Sequence, residues 1–148
     1  MPIPVAERPV PIHVAERPAR GLIDTSVVID LEQLDPTRLP RELAISALTL
    51  AELAAGPHVA ADPEERGARQ DRLQRTEAAF DPLPFDLDAA RAYGRVYAAV
   101  ASAGPKAQGP RAVDLLIAAT AAAAGLPLYT RNIADFRGLE GVVQVVAV

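Results

Sequence analysis

The sequence contains no cysteine, which excludes a disulfide framework, a thiolate metal site and a cysteine nucleophile together. Histidine is almost as scarce. His13 lies in a proline-rich stretch and His58 beside Pro57, so neither a histidine-centred metal site nor a histidine-based triad is expected. Any metal would have to be held by oxygen, which points to magnesium, manganese or calcium. Long apolar runs are also missing. The first twenty residues hold none, so no signal peptide is expected. The longest uncharged stretch, Leu115 to Thr130, is broken by Gly125 and Pro127 and falls short of the roughly 18 to 20 apolar residues a membrane span needs. The expected location is cytoplasmic. Positive charge is short as well: Lys106 is the only lysine and the net charge is −4, which does not advertise a nucleic-acid binder. A site built on acids that holds divalent cations would nevertheless carry this bias, because the bound cations offset several carboxylates. Charge alone decides nothing.

What is present suits one domain. The chain has 148 residues, half of them hydrophobic and 23% charged, enough for one core but not two. Residues 1–19 read as a proline-rich tail. Val5-Ala6-Glu7-Arg8-Pro9 recurs as Val14-Ala15-Glu16-Arg17-Pro18, and the five prolines of this segment cannot complete a backbone ladder. No chemistry is assigned to it. Residues 20–148 alternate short apolar strands with helices. Strands are expected at Gly21–Ile23, Leu43–Ile45, Leu83–Phe85, Leu126–Tyr129 and Val142–Val148. Helices are expected at Val27–Leu34, at Thr49–Ala55, from Asp62-Pro63-Glu64-Glu65 to about Phe80, at Leu87–Ala103, and from the end of a Gly104–Pro110 loop to Ala124, where Gly125 stops the last one. This alternation implies a three-layer α/β sandwich with a central parallel sheet.

In such sheets ligands bind outside the carboxyl ends of the strands. Asp24 directly follows the first strand, and Asp135 lies in the loop after Leu126–Tyr129. Glu52 and Asp114 sit on helices that could face the same edge. Each acid has an ordinary explanation: Asp24 as a cap, Glu52 completing a capping box with Thr49, Asp114 complementing a helix dipole, Asp135 in a turn. Jointly they say more. Glu52 and Asp114 occupy otherwise uncharged apolar helices, where a lone buried carboxylate is costly and a shared cation removes the cost. Magnesium takes a few carboxylates plus waters and phosphate oxygens, and one or two such ions can activate water for phosphodiester cleavage.

The strings LIDTSVVID, ALTLAEL, AVDLLIAATA, LYTRNIADF and GLEGVVQVV, in this order from Gly21 to Val148, resemble the PIN-domain ribonucleases, specifically VapC-type toxins. The resemblance implies endonucleolytic cleavage of RNA, dependence on Mg2+ or Mn2+, homodimerisation and neutralisation by a cognate VapB-type antitoxin. It implies Asp24, Glu52, Asp114 and Asp135 as the catalytic and metal-binding acids, with Thr25 or Ser26 orienting a metal-bound water and Thr130 and Asn132 supporting the last acid. Asn132 stands where some relatives carry an acid, and Val113 stands where many carry a polar residue. The competing reading is a catalytically silent PIN-like module that binds RNA or protein.

Other side chains weigh less. Arg66, Arg69, Arg72 and Arg75 interleave with acids and read as a solvated face. Arg111 and Arg131, close in sequence to the acids, are the candidates for substrate-phosphate contact. Asp30 is expected to face solvent. Tyr93, Tyr97, Phe80 and Phe85 are expected in the core rather than as base-stacking platforms.

Overall fold

Four short strands, β1 (Arg20–Ile23), β2 (Glu42–Ala44), β3 (Leu128–Thr130) and β4 (Val145–Ala147), pair in parallel in the order β2-β1-β3-β4. The structure is a computed structural model that describes residues 18–102 and 111–148. Five helices surround the sheet: α1 (Thr25–Ile29), α2 (Ala47–Ala55), α3 (Pro63–Ala79), α4 (Leu87–Ser102) and α5 (Arg111–Ala124).

Strand side chains alternate between faces, and two cores follow. Leu22, Ala44 and Leu128 join Val96 and Val100 of α4 and Ile117, Ala118 and Ala121 of α5 on one side. Ile23 and Tyr129 turn the other way, onto Val27 and Val28 of α1 and Leu53 of α2, with Leu73 of α3 packed behind them. The result is a three-layer α/β sandwich. Alanine makes α5 slim where it is fully buried, so α4 and α5 form the most extensive helix pair among the described residues. Among those residues no helix is long and apolar enough to cross a membrane.

Local chemistry explains the helix ends. Asp62 accepts from the Glu65 amide at 2.8 Å and Pro63 follows it, which starts α3. At the end of α5, Gly125 has φ 67°, its amide reaches Ala122 O at 3.2 Å, and the Leu126 amide reaches Ala121 O at 3.0 Å. That paired closure needs a left-handed residue, which glycine supplies at no steric cost.

Several boundaries differ from expectation. Helix α1 begins at Thr25 rather than Val27, β3 is Leu128–Thr130 rather than Leu126–Tyr129, and β1 and β2 each shift by one residue. Four further differences have a local cause. Leu83–Phe85 is not a sheet strand: Leu83 makes a single parallel bridge to Ser46, because Pro82 and Pro84 on either side have no N–H to extend it. The helix expected over Val27–Leu34 stops at Ile29, after a β-branched run, and continues as a tighter turn at Leu31–Gln33. Helix α2 starts at Ala47 rather than Thr49, because Ser46 Oγ accepts from the Thr49 amide at 3.1 Å. The last strand shrinks to Val145–Ala147, since the Val142 and Val143 amides both turn back to Leu139 O. The proline-rich tail up to residue 17 and the Gly104–Pro110 loop lie outside the described residues.

Gly21 is required by a close approach. A Cβ there would lie 2.6 Å from Tyr129 Cε2 and 2.9 Å from Pro40 Cγ. Tyr129 is 2% exposed and wedged between β1 and the second core, so the ring has little room to retreat. Gly21→Ala is expected to cost about 1–3 kcal/mol through overpacking. Thermal unfolding followed by circular dichroism checks this; an unchanged midpoint would show that the ring moves freely.

Candidate active site

The strand order reverses at β1: the chain runs outward to β2, then returns to β3 on the opposite side of β1. Ligands of open parallel sheets bind where this reversal opens a crevice at the carboxyl ends. Asp24 is the first residue past β1 and stands at that point. Its amide donates to Tyr129 O at 3.0 Å, extending the β1–β3 ladder by one bond. Its side chain caps α1: Oδ1 accepts from the Val27 amide at 3.1 Å and from Ser26 Oγ at 2.5 Å. Oδ2 takes no hydrogen bond from the described residues. No buried side-chain oxygen or nitrogen among them lacks a partner, so Oδ2 is not sealed from solvent although Asp24 as a whole is 4% exposed. One oxygen is fixed and the other is presented.

Thr25, the next residue, reaches the other way. Its Oγ1 donates to Glu52 Oε1 at 2.6 Å and lies 3.1 Å from the buried Thr49 Oγ1. Glu52 is therefore tied to the start of α1 rather than to Thr49 in a capping box; Ser46 is the cap of α2, and Glu52 itself is exposed. Asp114 is half-buried in the first turn of α5. Asp135 is half-buried in the turn Ile133–Phe136, where its amide donates to Asn132 O at 2.9 Å. Thr130, fully buried at the end of β3, accepts from the Asn132 amide at 3.0 Å and shapes the entry to this turn. The elements carrying the acids touch: α1 meets α2 and β3, and α5 meets α2 and the Asp135 turn.

Among the described residues, no three carboxylate or histidine side chains stand close enough to hold a metal ion by themselves. The donors present are all oxygen. Asp24 offers one open carboxylate oxygen, and Glu52 stands across Thr25 from it. That set fits a hard cation that keeps most of its water and needs only one or two carboxylates, as magnesium does.

Of the clefts that border α1 at Ile29, two lie beside the residues just described. One of about 500 Å3 is bordered by Thr25, Glu52, Val59, Arg69 and Arg72. The other, of about 470 Å3, is bordered by Ser26, Asp30, Arg131 and Asn132.

Several side chains fall elsewhere than expected. Asp30 does not simply face solvent: its Oδ2 pairs with Arg131 Nη1 at 2.7 Å. Nothing in the sequence marks that pair, whose members lie 101 residues apart. Arg69 leaves the solvated arginine face of α3 to bind Gly56 O at 2.9 Å and to pair with Glu65. Tyr93 packs on the core, but Tyr97 and Phe85 are 53% and 37% exposed. The Arg111 side chain lies outside the described residues.

The family model for the PIN domain matches residues 21–140, which takes in Asp24, Glu52, Asp114 and Asp135. The chain belongs to the PIN-domain family. This PIN domain is 40% identical to Ribonuclease VapC5 of Mycobacterium tuberculosis over 131 residues, covering 86% of this chain and 93% of that relative. It is 34% identical over 127 residues to VapC ribonuclease Y4jK of Sinorhizobium fredii, covering 78% and 89%. Among solved structures it resembles VapBC-5 of M. tuberculosis, a member of the VapBC family of toxin–antitoxin systems, with a TM-score of 0.78 and 39% identity over 88% of this chain and 100% of that one. It also resembles FitAcB from Neisseria gonorrhoeae, with a TM-score of 0.64 and 26% identity over 84% and 95%.

Proposed function

We propose that this PIN domain is the endoribonuclease toxin of a VapBC-type system and cleaves RNA with the help of Mg2+ or Mn2+. The observation that carries the reading is the state of Asp24. It is a nearly buried carboxylate at the sheet's reversal point, with Oδ1 held by two donors and Oδ2 open, and the residue next to it, Thr25, holds Glu52. The names of the relatives, ribonucleases and a toxin–antitoxin complex, supply the chemistry this carboxylate would serve.

In this reading Asp24, Glu52, Asp114 and Asp135 hold the cation. A bound divalent cation would lower the pKa of water and stabilise charge on the phosphate. The chain's own residues set the stage. Ser26 and the Val27 amide orient Asp24, Thr25 fixes Glu52, and Thr130 and Asn132 shape the turn that presents Asp135. Arg111, which opens the helix carrying Asp114, is assigned to a substrate phosphate. The proposed partners are an RNA substrate, a VapB-type antitoxin and a second copy of the chain as a homodimer, in the cytoplasm.

The test is cleavage of RNA by the purified chain. Cleavage is expected with Mg2+ or Mn2+, is expected to stop on addition of excess chelator, and to return when Mn2+ is restored. Folded protein that binds RNA without cutting it at any metal concentration would replace this reading with that of a silent binding module.

A further inference from the structure

We infer that the Asp30–Arg131 ion pair is a clamp that positions the metal-facing carboxylate of Asp24, with Arg131 acting on the site through Ser26. The inference rests on the metal-dependent reading above. Asp30 ends α1, and Arg131 is the first residue after β3. Their side chains meet at 2.7 Å and tie the far end of α1 to the loop that leads to Asp135. Arg131 makes a second bond from its backbone: its amide donates to Ser26 Oγ at 3.1 Å. Ser26 Oγ is thereby left to spend its single proton on Asp24 Oδ1, at 2.5 Å.

The direction of this relay is set by the donor inventory. An amide only donates and a carboxylate only accepts, so the hydroxyl between them must accept from Arg131 and donate to Asp24. If the loop drifts, Ser26 can turn its proton elsewhere and Oδ1 loses one of its two donors. The ion pair guards against that drift. With side chains 39% and 35% exposed, it contributes little to stability in its own right. Its value lies in geometry. It also turns Nη1 of the guanidinium onto Asp30 at the wall of the second cleft.

The experiment is calorimetric titration of Mn2+, with no RNA present, into the unaltered chain, Asp30→Asn, Arg131→Gln, the double variant and Arg131→Lys. Loss of an outer partner of a ligand is expected to weaken Mn2+ binding about tenfold in each single variant. The double variant is expected to be no worse than either single one, because both break one clamp. Arg131→Lys, which keeps the pair, is expected to bind within about threefold of the unaltered chain. Circular dichroism verifies that each variant is folded. Unchanged Mn2+ affinity in folded single variants, or losses that multiply in the double variant, would overturn the clamp while leaving the metal-dependent reading intact. No Mn2+ binding by the unaltered chain would overturn both.

Discussion

Asp24→Asn protein is expected to fold like the unaltered chain and to cleave RNA at least about a hundredfold more slowly, given the dependence of such chemistry on its metal ligands. The two halves of this expectation come from two roles of one side chain. As the cap of α1, Asp24 needs only an oxygen to accept from the Val27 amide, and asparagine caps as well as aspartate does. In the proposed role of metal ligand it would need full negative charge on the open oxygen, which the amide lacks. Asp24→Ala separates the roles differently: it removes the cap too and is expected to cost about 1 kcal/mol of stability besides. Initial rates at saturating Mn2+, alongside thermal unfolding, measure both quantities. Activity above a tenth of the unaltered value in Asp24→Asn would take this residue out of the site.

The largest expected loss of stability lies at Phe136. This ring is 2% exposed and closes the turn that carries Asp135, packing into the core shared with α5 and Leu139. Truncating a buried phenylalanine to alanine costs about 3–5 kcal/mol. Against a total of about 5–15 kcal/mol for a domain, that is a large share. Phe136→Ala should therefore lower the unfolding midpoint by roughly 6–20 °C at the usual sensitivity of a domain of this size. The neighbouring Asp135 loses its anchor at the same time, so activity below the midpoint should fall as well. Denaturant unfolding gives the free energy directly. A change under about 1 kcal/mol would mean that the turn holds itself without the ring.

The layers of the fold were legible because period-two and period-3.6 apolar patterns report burial, and both faces of this sheet are covered. Gly125 and the Asp62-Pro63 start were legible because each is a local backbone requirement. Leu83 misled because an apolar residue between prolines resembles a strand by composition while lacking the amides to extend one. Of the site, the strand-end positions of Asp24 and Asp135 could be read directly. The partner of Glu52 could not: Thr49 has the right spacing for a capping box, but Ser46 already serves that amide, and Thr25 arrives from 27 residues away. The Asp30–Arg131 pair was hidden for the same reason, since contacts between distant residues leave no periodic trace. Tyr97 was misplaced because a helix face broad enough for Tyr93 and Val96 need not bury its next aromatic.

The reversal of strand order at β1 also sets a timetable. β1 meets β2 about twenty residues later in the chain, but its partner on the other side, β3, begins only at Leu128. Ser26 and Arg131, which lock the crevice, are 105 residues apart. A ribosome adding roughly 5–20 residues per second completes the first pairing seconds before the second becomes possible. Non-local closure of this kind is also slow in the finished chain, since the entropy of the long intervening loop must be overcome before any contact is gained. The β1–β3 edge of the crevice consequently closes last, and a nascent chain carries Asp24 well before it has the strand that pairs beside it.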